Sequence, residues 1–239
     1  MCRAEKSASE QEKVNAERRA NDNYQLALDE IKRDGDDGIV VNYFKAAARD
    51  GHALAMWQLG GAYNGDDYLY NYGLKVDKQE ALKMYRGAAE AGDTDAQYLL
   101  GGVYEFGQYG LEIDEKAAVE MYRKAADGGD HAAQYSLGMA YELGLLGLEE
   151  DEEIALDMYR NAADGGDQAA QCELSQAYHL GRFGLDVDQE KAFEYVQKAA
   201  RGGSSKAQDI VKSIEPIGFL CCGSACSFHA AVCESCVFD

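Results

Sequence analysis

The residues with the strongest claim to chemistry crowd into the last stretch of the chain, IGFLCCGSACSFHAAVCESCVFD (217–239). Cys222 and Cys226 are separated by three residues, Cys233 and Cys236 by two, and His229 lies between the pairs. Four thiolates and an imidazole at this spacing offer enough soft ligands for tetrahedral zinc. The six residues between Cys226 and Cys233 leave a tight span for two ligand pairs, so reactive or lipid-modified cysteines and an unliganded tail stand beside zinc as readings. The reading adopted is a chain without a cofactor, with zinc at Cys222, Cys226, Cys233 and Cys236 as the alternative. The rest of the chain is poor in reactive groupings. His52, His131 and His179 share no helical spacing that would pair them as ligands or as a base and its orienter, and each is expected at the surface. Cys172 stands alone and is expected to be a buried thiol. The glycines do not form a phosphate-binding loop between a strand and a helix. With 43 acidic residues, a neighbouring pair of carboxylates arises by chance and says nothing about acid–base catalysis.

The elements that would have to position such residues are written as a repeat. MYRGAAEAGD begins at Met84, MYRKAADGGD at Met121 and MYRNAADGGD at Met158, a constant step of 37 residues. Aligning these blocks reveals a second set: LGGAY (59–63), LGGVY (100–104), LGMAY (137–141) and LSQAY (174–178). Self-similarity at such a period signals stacked supersecondary units. Both blocks are rich in Ala, Leu, Met, Lys and Glu, so each unit reads as two helices of about three turns. Gly51, Gly92, Gly129, Gly166 and Gly203 follow the second helix, where a left-handed residue ends it. Asp77, Asp114, Asp151 and Asp188 open the second helix as caps, and Asp77 with Glu80 has the spacing of a capping box. Gly60, Gly101 and Gly138 lie inside the first helix, where glycine costs about 1 kcal/mol against alanine. Their recurrence suggests close approach of two helix backbones, with Ala125, Ala126, Ala162 and Ala163 as the facing small surface.

The pattern Leu-Gly-x-x-Tyr-x-x-Gly, then Gly-Leu, Asp, Lys-Ala, Met-Tyr-x-x-Ala-Ala and Gly resembles the Sel1-like repeat, a relative of the tetratricopeptide helical pair. It is clearest in residues 100–130 and 137–167 and extends over about 38–214. The resemblance implies an all-α fold, an α-solenoid of stacked antiparallel helix pairs wound as a right-handed superhelix. Three departures stand out. The loop between the helices reads Gly-x-x-Gly, one residue longer than the usual Gly-x-Gly. The fourth copy has Ser175 for the glycine and Cys172 in the aromatic column of Trp57, Tyr98 and Tyr135. The first copy has four extra residues between Tyr63 and Asp77, bringing Tyr68, Tyr70 and Tyr72 at alternating positions.

The domain organisation expected is a charged helical cap over 1–37, the repeat array over 38–214 with half-repeats at its ends, and a cysteine-rich tail over 215–239. In the cap, Tyr24, Ala27, Leu28 and Ile31 share one face of a helix read over 12–33, which packs on residues 38–51. A last helix is read over 204–216, stopped by Pro216.

A net charge of −20 argues against nucleic acid and anionic membranes and suits a basic partner. The start of the chain has no secretory pattern and no stretch reaches membrane-spanning length, so the expected compartment is the cytoplasm or nucleus. By resemblance, the expected function is a non-catalytic adaptor that binds a protein or peptide on the concave face lined by first helices. The columns that vary there nominate Asn64, Glu105, Glu142 and His179, with the loop tyrosines Tyr68, Tyr70 and Tyr72 as further contacts. A zinc-containing, ubiquitin-ligase-like regulatory fragment is the alternative. Secreted relatives linked to β-lactam hydrolysis pair cysteines within each repeat, a feature missing here.

Overall fold

The computed structural model describes residues 2–65 and 72–214. All regular structure among them is helical: α1 (Cys2–Lys32), α2 (Asp37–Arg49), α3 (Ala53–Asn64), α4 (Lys78–Glu90), α5 (Thr94–Glu105), α6 (Glu115–Asp127), α7 (His131–Glu142), α8 (Glu152–Asp164), α9 (Gln168–Leu180), α10 (Gln189–Gly202) and α11 (Ser205–Ile214). The chain divides into two compact units, residues 1–128 and 129–239. In the first, α1 packs on α2, α3 on α4 and α5 on α6, while α2–α3 and α4–α5 contacts join successive pairs. In the second, α7 packs on α8 and α9 on α10, and α8–α9 and α10–α11 contacts continue the series. The all-α class of packed helix pairs expected from the repeat is the one observed.

Each helix begins and ends as its residue types dictate. Asp77, Asp114, Asp151 and Asp188 accept from the backbone amides of residues two or three ahead, satisfying donors that a helix start leaves free. The same four residues donate their own amides to Tyr63, Tyr104, Tyr141 and Tyr178 carbonyls at 2.9 Å, which clamps the loop at its exit. Asp77 therefore has no amide to share with Glu80, and the expected capping box is replaced: Glu80 pairs with Lys83 at 3.2 Å. A second cap series, unforeseen above, opens the first helices. Asp93, Asp130 and Asp167 accept from Ala96, Ala133 and Ala170 amides.

Alternate ends are set by the glycine column. Gly129 has φ 92°, and Gly51, Gly92, Gly166 and Gly203 share that sign. α1 starts earlier than the helix read over 12–33, because its first turns include Arg3, Ala4, Glu5, Lys6 and Ala8, residues of good helix propensity. Ala27 is fully buried, and Tyr24 and Ile31 pack on the core formed by Val40, Val41 and Phe44. α11 ends at Ile214, and the expected stop at Pro216 lies outside the described residues.

Nothing stands within 4 Å of a Cβ built on Gly129, so substitution there meets backbone strain alone. Gly129→Val should lower stability by more than about 1 kcal/mol in chemical denaturation, since a β-branched residue is poorly suited to positive φ. An unchanged midpoint would mean the helix end is wrongly placed.

Candidate functional site

The side chains nominated as partner contacts lie at the end of each first helix, and their surroundings grow from a three-residue spacing. In α5, Tyr98, Gly101 and Glu105 stand at i, i+3 and i+7 and share one face. In α7 the same places hold Tyr135, Gly138 and Glu142, and in α3 they hold Trp57, Gly60 and Asn64. The second helix of each pair sends a tyrosine onto that face. A Cβ on Gly60 would stand 2.5 Å from the Tyr85 ring and one on Gly138 2.8 Å from the Tyr159 ring; Gly101 makes the same approach to Tyr122. Real Cβ contacts are never so short, so the glycine is the seat of a ring. The expected contact of two backbones across alanines is corrected accordingly.

The ring is held at both ends. Trp57 lies 5.2 Å from Tyr85, Tyr98 5.7 Å from Tyr122, and Tyr135 5.7 Å from Tyr159 between centroids, all tilted. At the other end, the Tyr122 phenol donates to Glu105 at 2.6 Å and the Tyr159 phenol to Glu142 at 2.6 Å. A buried hydroxyl needs such an acceptor, and the carboxylate supplies a strong one. Burial first, and the adjacent carboxylates second, push both phenols far above their ordinary range.

In α9 and α10 the whole set changes together. Ser175 replaces the glycine, Val196 replaces the tyrosine, Cys172 the aromatic and His179 the acid. With no ring to seat, Ser175 is fully buried and donates to the Ala192 carbonyl at 2.8 Å. His179 is 4% exposed, with Nδ1 2.7 Å from Gln189 Oε1, so it is not the surface residue the sequence suggested. Cys172 is half-buried rather than buried.

The longer inter-helix loop explains a second layer. The residue before its last glycine is left-handed in each copy: Tyr72, Tyr109, Leu146 and Phe183 have φ 47°, 56°, 55° and 56°. Such a conformation is unfavourable for bulky residues and persists where packing fixes it. Tyr109 reaches back to the preceding pair, donating to Asn64 at 2.9 Å and meeting the Tyr85 ring edge-on at 6.3 Å. Phe183 packs 5.9 Å from the Tyr159 ring under the guanidinium of Arg182. Arg182 itself bonds Glu142 and reaches Glu173 at 3.3 Å. Burial raises the Glu173 carboxyl, with Arg182 opposing.

The nominated residues therefore share a column but serve internal contacts. Asn64 also accepts from Lys78 at 2.5 Å, and Glu105 and Glu142 are half-buried acceptors. Tyr72 is buried against Phe44, ring centroids 5.7 Å apart, so this part of the loop folds onto its own core instead of presenting an aromatic surface. Tyr68 and Tyr70 lie outside the described residues, as do Cys222, Cys226, Cys233 and Cys236. Among the described residues, no three His, Cys, Asp or Glu side chains group as metal ligands. No helix there is long and apolar enough to cross a membrane. Sequence reading missed a glutamine column: Gln97 donates to the Ala89 carbonyl, Gln171 to Ala163 and Gln208 to Ala200, capping the helix before. Its signal was recurrence four residues after each capping position.

The Sel1 repeat matches residues 53–93, 94–130, 131–167 and 168–204, more than half of the chain. The protein belongs to the Sel1 repeat family. Its fold is similar to that of a Sel1 repeat protein from Oxalobacter formigenes, 30% identical with a TM-score of 0.72, over 90% of this chain and 85% of that one. It is also similar to c5321, a protective antigen of uropathogenic Escherichia coli strains displaying an SLR fold: 29% identity, TM-score 0.69, 89% of this chain but 44% of that longer one. The immunity protein Pa5087 of Pseudomonas aeruginosa, at 24% identity and TM-score 0.50 over 82% of this chain and 70% of that one, shares the fold. No curated protein matches the sequence. Sel1 repeat proteins generally serve as scaffolds for protein–protein interaction.

Tyr135 is pushed up to about 12, by burial first and then by Glu173, Asp167 and Glu142. The folded state thus keeps a proton that the unfolded chain releases above about pH 10, and stability falls as pH rises through that window. Denaturation midpoints at about pH 9 and about pH 11 should show this loss, and Tyr135→Phe should reduce it. An identical loss in both proteins would contradict the placement of this ring.

Proposed function

We propose that this Sel1 repeat protein is a non-catalytic adaptor that holds a protein or peptide partner along its first helices. The observation that carries the reading is the column of half-exposed aromatic side chains, Trp57 and Tyr98 in the first unit and Tyr135 in the second, each seven residues before a polar side chain of the same face. Rigid aromatics beside charge are the residues that anchor interfaces, because they present large apolar area with few rotamers to freeze. The polar groups of this face are engaged in holding helix pairs together, which favours a binding role over a catalytic one. The acidic balance of the chain, −20, suits a basic partner.

Glu105→Gln with Glu142→Gln separates the two duties of these carboxylates. The amide oxygen still accepts from Tyr122 at residue 105 and from Tyr159 or Arg182 at residue 142, so the fold should persist, while the charge offered to a partner is gone. Partners purified with the wild-type chain from its native organism should bind the double variant about tenfold more weakly or worse. Retention of every partner at full strength would show that this face is not the contact.

A further inference from the structure

The exposed apolar residues are not scattered. Seven of the twelve large apolar side chains most exposed among the described residues sit where a first helix hands over to its loop and second helix: Val76, Phe106, Ile113, Leu143, Leu145, Leu180 and Val187. In the second unit the opposite turns, 164–168 and 202–205, carry none. Phe106, Leu143 and Leu180 share one column of the repeat, and Ile113 and Val187 share another. A Cβ on Gly181 would lie 3.2 Å from Val187 Cγ2, and one on Gly107 3.2 Å from Ile113 Cγ1, so each valine or isoleucine folds back to the glycine that follows Leu180 or Phe106. Exposures of 64% for Phe106, 66% for Ile113, 51% for Leu143 and 60% for Val187 leave these side chains in water.

Two loops of the second unit stand side by side. Arg182, two residues beyond Leu180, bonds Glu142, the neighbour of Leu143. The same contact removes the loop's own cation, which also faces Glu173 at 3.3 Å. What remains exposed between the apolar residues of the second unit is acidic, Glu149, Glu150 and Asp186, whereas in the first unit Glu112 stands beside Ile113 and Lys75 beside Val76. In the second unit, apolar anchors interleaved with uncompensated carboxylates are unusual for a surface whose only task is solvation, since apolar groups in water cost free energy and apolar surface patches mark interaction sites.

We infer that this loop edge is a second docking surface, one that takes an extended basic peptide whose Leu, Ile or Phe side chains are flanked by Lys or Arg. Apolar side chains of the peptide pack on Leu143, Leu180 and Val187, and its cations meet Glu149, Glu150 and Asp186. The inference rests on the reading of the chain as a protein-binding scaffold but places contact on the loops, away from the first-helix column. Charge complementarity selects the occupant: an acidic or neutral peptide would find the carboxylates unpaired.

The test is an unbiased displayed-peptide selection against the full chain, followed by titration of the enriched peptides. The expected peptides combine at least two basic residues with an apolar anchor and weaken steeply between about 50 mM and about 500 mM salt. Leu143→Ser, Leu180→Ser and Val187→Ser, combined in one chain, should reduce their affinity at least tenfold, with helical circular dichroism unchanged because all three side chains are exposed. Glu149→Lys with Asp186→Lys provides the same test through charge and should act in the same direction. Basic peptides whose binding survives both loop variants but falls in the Glu105→Gln chain would overturn the loop surface while upholding the first-helix contact. Enrichment of peptides without basic residues would overturn the inference outright, and failure to enrich any peptide would count against both surfaces.

Discussion

Each ring-bearing helix pair in this protein turns on a tyrosine ring resting where a neighbouring helix has no side chain. The missing Cβ of Gly60, Gly101 or Gly138 makes room for Tyr85, Tyr122 or Tyr159, and the other features of the pair follow from that contact. A ring seated so deeply is buried, so for Tyr122 and Tyr159 the hydroxyl requires an acceptor, which Glu105 or Glu142 provides at 2.6 Å. The flank of the ring needs apolar cover, supplied by Trp57, Tyr98 or Tyr135. The glycine is thus tolerated inside a helix, at about 1 kcal/mol of lost propensity, because burying an aromatic side chain is worth more. Where the ring is absent, at Val196, the glycine, the aromatic and the acid are absent too, and Ser175 bonds the backbone instead.

A second constraint links successive pairs. The extra loop residue brings Tyr109 or Phe183 back onto the pair before it, and it does so in a left-handed conformation that only packing sustains. Tyr109 bonds Asn64, and Arg182 beside Phe183 bonds Glu142, so the ends of first helices are tied to the following loop. Polar groups with the appearance of a recognition surface are therefore part of the internal wiring of each unit. What is left for partners is the half-exposed aromatic column, with the charge of Glu105 and Glu142 beside it, and the loop edge where apolar and acidic residues alternate.

Much of this organisation is legible in the one-dimensional pattern. Caps and chain-reversing glycines act within a few residues, so Asp77, Asp114, Asp151 and Gly129 declare their roles by position. The interior glycines announce a close contact but not its occupant, because Gly138 and Tyr159 are distant in sequence and only the folded pair brings them together. For the same reason the variable column could be seen while its use could not. Glu105 looks like a free charge until Tyr122 is placed beside it, and His179 looks exposed until the smaller neighbours of its pair let it sink inward. The αL residues were hidden further, since Tyr109 and Phe183 are residue types that rarely adopt positive φ on their own.

The direct measurement of the central contact is a double-mutant cycle that rewrites one pair in the style of the fourth. Gly138→Ser alone should destabilise the chain by about 1–3 kcal/mol, because the new side chain meets the Tyr159 ring. Tyr159→Val alone should cost about 3 kcal/mol through the emptied seat and the hydrogen bond lost at Glu142. In the Tyr159→Val background, Gly138→Ser should cost little or even stabilise, giving a coupling of about 1 kcal/mol or more. Strictly additive effects would show that the glycine and the ring do not depend on each other, and would contradict this account.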